Sequence, residues 1–209
     1  MYLNMDSLKP NDRYHLLTQS VIPRPIAWVL TDNGEGEGDS RYNLAPFSFF
    51  NVISANPPLL VLGINTKKTN GETKDTLHNL IKHKKATIHI AGSANLESMV
   101  DSSVELPHGD SELSRTQSKT TLCYHENYLP HIKESHIAFF CELDHVHEVG
   151  DGATSIVFCK INEAYVDDSV ISNNNNIIID PLKIEPISRL GLTNYHKLDS
   201  IFTVERPSA

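Results

Sequence analysis

Residues 42–58 read YNLAPFSFFNVISANPP. Strand-favouring aromatic and β-branched residues dominate the stretch, yet Asn43, Ser48 and Asn51 punctuate it and a Pro-Pro pair closes it. A plain buried strand explains Phe47, Phe49 and Phe50. It does not explain the Asn and Ser residues, whose burial without partners costs free energy. Apolar walls with a few placed polar groups are what a flat heteroaromatic ligand with a polar edge requires. Asn43, Ser48 and Asn51 therefore read as hydrogen-bonding groups aimed at a ligand near one end of a sheet.

Working outward, PIAWVLT (25–31) is a strand by composition, and the turn cluster DNGEGEGDSR joins it to the opening stretch as a hairpin. LLVLGIN (59–65) is nearly all apolar and reads as a strand buried on both faces. The polar loop TKKTNGETKDT then leads into DTLHNLIKH. There Leu77, Leu80 and Ile81 form the stripe of a short helix that Thr73 or Asp75 can cap. ATIHIAG (86–92) is a further strand, and SANLESMVDSS a helix with Leu96, Met99 and Val100 on one face.

LPHGDSELSRTQSKTT is a polar loop holding a short helix. SHIAFFCELDHVHEVG and ATSIVFCKINEAYV flank Gly-Asp-Gly as a long hairpin. NNNN (173–176) reads as a loop, IIIDPLKIEPISRLG (177–191) as a late extended segment, and the last dozen residues as a tail. Six or seven strands arranged in hairpins, with two or three short helices, predict a mainly β fold: a closed antiparallel sheet with helices packed outside it.

The bulk properties narrow the function. A chain of 209 residues buries roughly 70% of the surface it exposes when unfolded and needs no metal or disulfide to fold. Its formal charge of −8, from 18 basic and 26 acidic residues, argues against nucleic acid as the main partner. Lys67, Lys68 and Lys74 can still receive one phosphate. Cys123, Cys141 and Cys159 show no paired spacing; Cys141 and Cys159 lie in apolar runs and read as buried thiols. MYLNMDSLKPND lacks the pattern of a signal peptide, and no apolar run approaches the ~20 residues of a membrane span. The expected setting is the cytoplasm, away from any membrane.

Three local patterns carry chemistry. GEGEG (34–38) is no dinucleotide-binding loop, because no helix follows and Glu35, Glu37 and Asp39 would repel a pyrophosphate. His145 and His147 share one face of a strand without a third ligand at metal-binding spacing, and read as solvent-facing. TKDT (73–76) sets Lys74 and two hydroxyls at a helix start, where unpaired N–H groups make a seat for a phosphate monoester. A capped surface helix is the plainer reading of the same residues.

Taken in order, PRPIAWV, NLAPFSFFN, S-x-NPPLL, the KDT helix start and PISRLG resemble the flavin reductase-like family, the FMN-binding split-barrel group that includes flavoredoxin-type proteins. HGDSEL and the strands around EVGDG extend the resemblance, which runs from about residue 20 to 196. It implies a single domain over residues 1–209, a six-stranded antiparallel split barrel with peripheral helices. It also implies a homodimer with FMN near the dimer interface. Ser48, Phe49, Phe50 and Asn51 would lie along the isoalloxazine and ribityl chain. Asn65 and Thr66, with Lys74, Asp75 and Thr76, would surround the phosphate, and Arg189 would reach the flavin from the late segment. Two departures stand out: Leu192 occupies the second position of the usual Gly-Gly after the RL pair, and the first loop is longer and more acidic than the family's.

The activity so implied is an NAD(P)H:flavin oxidoreductase with NADH or NADPH as co-substrate, hydride passing from nicotinamide C4 to flavin N5. It fits a sequence with no catalytic triad or carboxylate pair. Reduced flavin either leaves for a partner monooxygenase or stays bound. The same residues also suit an FMN electron-transfer protein reduced by a partner protein. A split barrel that binds another ligand is a third reading.

Overall fold

The computed structural model describes residues 1–116, 120–173 and 177–207. A helix α1 (Pro10–Ser20) opens the fold. Then come β1 (Arg24–Pro25), β2 (Ala27–Asp32), β3 (Tyr42–Phe47), β4 (Phe50–Ala55) and β5 (Pro58–Asn65). Helix α2 (Asp75–His83), β6 (Lys85–Ile90), α3 (Leu96–Asp101), α4 (Leu113–Thr116), β7 (Leu122–Cys123) and β8 (His131–Ile132) follow. The long hairpin is β9 (Ile137–Val149) with β10 (Thr154–Val166). The chain ends through β11 (Ile171–Asn173), β12 (Ile178–Ile179), α5 (Pro181–Ile184), β13 (Ile187–Gly191) and β14 (Asn194–Lys197). No described helix is long and apolar enough to cross a membrane.

Seven strands form the main sheet in the order β3-β2-β6-β9-β10-β5-β4, every pair antiparallel. Its two edge strands, β3 and β4, are consecutive in the chain and joined only by Ser48 and Phe49. The sheet must therefore curl until its edges meet at that corner, giving a barrel open along one seam. The opening stretch, expected as one strand, is two. Pro46 supplies no N–H for a ladder, and the bend is locked when the Gly63 N–H donates to the Phe49 carbonyl at 2.7 Å. A Cβ on Gly63 would lie 3.0 Å from the Phe49 Cβ, so the close approach requires glycine.

The apolar side chains separate into two clusters on either side of the sheet. Ala27, Val29, Leu60, Leu62, Ile64, Ile88, Val157 and Cys159 fill the interior, and α2 adds Leu77 and Leu80. On the outer face Trp28, Leu30, Leu44, Met99, Leu113 and Ile132 pack together, so β2 is buried on both faces. The Trp28 indole N–H finds Ser102 Oγ at 2.8 Å.

Several expectations shift, while the buried thiols and the solvent-facing strand histidines are as expected. Ile81 is exposed, and the buried stripe of α2 is Leu77 and Leu80 with polar Thr76 and Asn79. Val100 is likewise exposed while Met99 is buried. β5 hides Leu60, Leu62 and Ile64, but its other face is only half-covered. The late segment is not simply extended, since Asp180 caps the short α5 within it. Neither Thr73 nor Asp75 caps α2; Lys74 holds that position with no side-chain cap bond. Cys141 and Cys159 are buried free thiols, and burial pushes Cys159 up to about 12. His145 and His147 are exposed, His145 stacking on Phe158 at 4.0 Å. Of the NNNN stretch, Asn173 ends β11 and residues 174–176 lie outside the described residues.

Candidate functional site

The site grows from the loop between β5 and α2. Thr66 ties the loop to the β10 end of the sheet: its N–H donates to the Ala153 carbonyl at 3.1 Å, and its hydroxyl meets Ser155 Oγ at 3.0 Å. The Lys74 N–H then donates back to the Thr66 carbonyl at 3.1 Å. Below this loop the buried Lys68 ammonium lies 2.6 Å from the Asp75 carboxylate and donates to the Leu106 carbonyl at 2.9 Å. Asp75 also takes His108 Nδ1. Asn43 Nδ2 donates to Thr76 Oγ1 at 2.9 Å and lies 3.3 Å from Thr31 Oγ1. These bonds fix the start of α2 against β2 and β3.

Two hollows adjoin along the β3–β4 corner, sharing Pro46, Phe47 and Lys74. The larger, about 210 Å³, adds Tyr14, Ser48, Phe49, Gly63 and Asn65. Phe49 there is 44% exposed. The smaller, about 80 Å³, is lined in part by Asn43, Asp75, Thr76, Glu105 and Glu112. Glu112 is 3% exposed and accepts from the Leu44 N–H at 2.9 Å; burial lifts its carboxyl to about 7. Glu105 is the opposite case. Its bonds from Lys74, and then from Thr69, hold it down to about 2.

Of the residues singled out in the sequence, Ser48, Phe49, Asn65 and Lys74 gather at the larger hollow, and Asn43, Asp75 and Thr76 at the smaller. Asn43, Asp75 and Thr76 are buried, and their polar atoms are engaged with protein partners. Their geometry is that of positioning residues. Thr66 stands just outside, bonded to Ser155. Phe50 departs from the expected ring contact because its side chain enters the interior cluster. Asn51 lies exposed on β4, its side chain accepting from the Val52 N–H at 2.8 Å. Arg189 lines neither hollow; its guanidinium stacks on Tyr195 at 4.5 Å and donates to the Leu192 carbonyl.

Arg24, part of the PRPIAWV stretch but given no role there, is central. It is buried, donates to the Thr18, Val21 and Leu190 carbonyls, and reaches Ser48 Oγ at 3.4 Å. It also lies 5.9 Å from the Phe49 ring centroid. A charged residue between two prolines ahead of an apolar strand was the available signal. Tyr14 and Glu105 carry no such signal, because only the folded chain brings them to the hollows.

A family model described as the flavin reductase like domain matches residues 19–182. An uncharacterized protein of Bacillus subtilis, YwrF, is 35% identical over the full length of both chains. Nitrilotriacetate monooxygenase component B from Bacillus cereus is 31% identical, with a TM-score of 0.87 over 98% of each chain. The 2-nitrobenzoate 2-nitroreductase NbaA of Pseudomonas fluorescens is 27% identical, with a TM-score of 0.86 over 99% of this chain and 96% of its own. The chain belongs to the flavin reductase-like family, and its fold is that family's split barrel. The main sheet has seven strands rather than the expected six, since β3 and β4 are separate.

Proposed function

We propose that this protein is an oxidoreductase that binds FMN along the two hollows and transfers hydride to it from NADH or NADPH. One observation carries the reading. The uncapped start of α2, with its Lys74 ammonium, opens onto the same groove as the half-exposed Phe49 ring, Ser48 and Asn65. The donor chemistry fits the cofactor. Lys74 and the free N–H groups of the first helical turn suit a phosphate monoester. Phe47 and Phe49 offer apolar surface to a flat ring, and Ser48 and Asn65 offer hydrogen bonds to polar edges and hydroxyls.

FMN, when bound, supplies the two-electron redox chemistry. The chain's own work is placement and exclusion of water. Arg24 fixes the Ser48–Phe49 bend, and the Asn43–Thr76 bond fixes the helix start against β3. No side chain needs to move a proton for hydride transfer. The likeness to a monooxygenase component B supports a partner monooxygenase that receives reduced flavin. The likeness to a nitroreductase favours a second reading, in which flavin stays bound and reduces an organic substrate directly. A homodimer is supported by β4, an edge strand that leaves Val52 63% and Ile53 47% exposed beside the groove.

An absorbance spectrum of the FMN-loaded protein, taken before and after anaerobic NADH or NADPH, tests the proposal. The expected outcome is a bound oxidised-flavin spectrum that bleaches rapidly with one of the two nucleotides. A bound flavin that resists both would make it an electron carrier reduced by another protein. Failure to take up FMN at all would point to another ligand.

A further inference from the structure

The Glu105 carboxylate is gripped by three donors. Thr69 gives it a backbone N–H at 3.1 Å and a hydroxyl at 2.6 Å, and the Lys74 ammonium closes on its other oxygen. A backbone N–H, a hydroxyl and an ammonium converging on one anion form the donor set that a phosphate takes. Charge matching around the smaller hollow is complete without any further anion. Of the two ammonium groups lining it, Lys68 pairs with Asp75 and Lys74 with Glu105. Glu112 adds a third carboxyl. A phosphate dianion arriving at Lys74 meets a carboxylate already seated there, and like charges sharing one cation repel.

We infer that Glu105 competes with the phosphate of FMN for Thr69 and Lys74, and that its side chain turns away when the phosphate binds. This rests on the FMN reading above. The turn is local, because the Leu106 carbonyl next to Glu105 is held by the buried Lys68 ammonium at 2.9 Å and anchors the backbone there. Glu105 is itself partly exposed, so solvent is available to its carboxylate once it turns. Displacing an internal anion offsets part of the phosphate's attraction. FMN is thereby kept exchangeable, as a flavin handed to a second protein must be. Riboflavin has no phosphate and does not engage the competition.

Fluorescence titrations of wild type, Glu105→Gln and Glu105→Ala with FMN and with riboflavin decide the matter. Both variants are expected to bind FMN about tenfold more tightly, since a charge-assisted contact is involved, and to release it more slowly. Riboflavin affinity should stay within about twofold of wild type, the phosphate-linked effect being absent. FMN uptake by the variants but not by wild type would also support the competition. If wild type binds FMN and the variants bind it equally or more weakly, Glu105 instead orients Lys74. The inference then falls while the FMN reading stands. An equal gain for FMN and riboflavin overturns it too, because the phosphate would play no part. If none of the three proteins takes up either flavin, the FMN reading fails and the inference with it.

Discussion

Lys74 and Thr76 stand two positions apart, yet they answer to different neighbours. Lys74 opens onto both hollows, whereas Thr76 is buried and occupied with Asn43. Replacing both would mix binding with folding, so the phosphate seat is best probed at Lys74 alone. Lys74→Ala should weaken FMN binding about tenfold, the scale of one charge-assisted hydrogen bond, and leave riboflavin binding little changed. Isothermal titration with the two flavins checks this, and equal losses for both would remove Lys74 from the phosphate seat. At this scale the sequence revealed residue types better than directions. Ser48, Phe49, Asn65 and Lys74 line the larger hollow. Phe50, the first residue of β4, turns into the interior cluster, whereas Phe49 lies in the bend before that strand. Leu192, noted in the sequence for replacing a glycine, adopts the left-handed conformation with φ +50°. Glycine enters that region without a Cβ penalty.

Among the elements, β4 combines an unpaired edge with exposed Val52 and Ile53. An edge of that kind needs a cover or invites pairing. If a second copy covers it, Val52→Asp should convert the protein to a monomer and lower FMN affinity, because the edge borders the groove. Sedimentation analysis at micromolar concentration reads the first effect and flavin titration the second. A dimer that survives the substitution would move the contact elsewhere.

The long hairpin of β9 and β10 was plain in the sequence, with its Gly-Asp-Gly turn and long apolar flanks. Helix α1 was not. Among its residues only Thr18 is buried, so no apolar stripe marks it, and its place is set by contacts to distant β13. The division of the opening stretch into β3 and β4 was equally hidden. It depends on Gly63, on another strand, whose N–H fixes the Phe49 carbonyl.

Across the whole molecule, two buried groups give stability opposite responses to pH. Burial lifts Glu112 from 4.5 to about 7, so its contribution is full below 4.5 and lost as pH rises through 7. Burial pushes His89 from 6.5 down to about 4, so its contribution is present above 6.5 and lost as pH falls through 4. His89 is held neutral between two bonds: Nδ1–H donates to the Trp28 carbonyl and Nε2 accepts from the Ile132 N–H, each at 2.9 Å. Between 4.5 and 6.5 the two slopes oppose each other. Glu112→Gln keeps an acceptor for the Leu44 N–H and removes one slope. Its stability should rise with pH across that window and exceed wild type at pH 8 by about 1–3 kcal/mol. Urea unfolding from pH 5 to 8 is the measurement, and superimposable profiles for the two proteins would assign the pH response to other groups.

Arg24 joins carbonyls at residues 18, 21 and 190 to the hydroxyl of Ser48. One guanidinium thus ties the beginning of the chain to its last strands, and β1 has β13 for its neighbour. During synthesis the amino-terminal portion emerges first and waits. A nascent chain can lock the Phe49 bend through Gly63 early, but it cannot complete the anchorage of Arg24 behind Ser48 until Leu190 has followed it out. The support behind that wall of the hollow is consequently among the last parts of the described fold to mature.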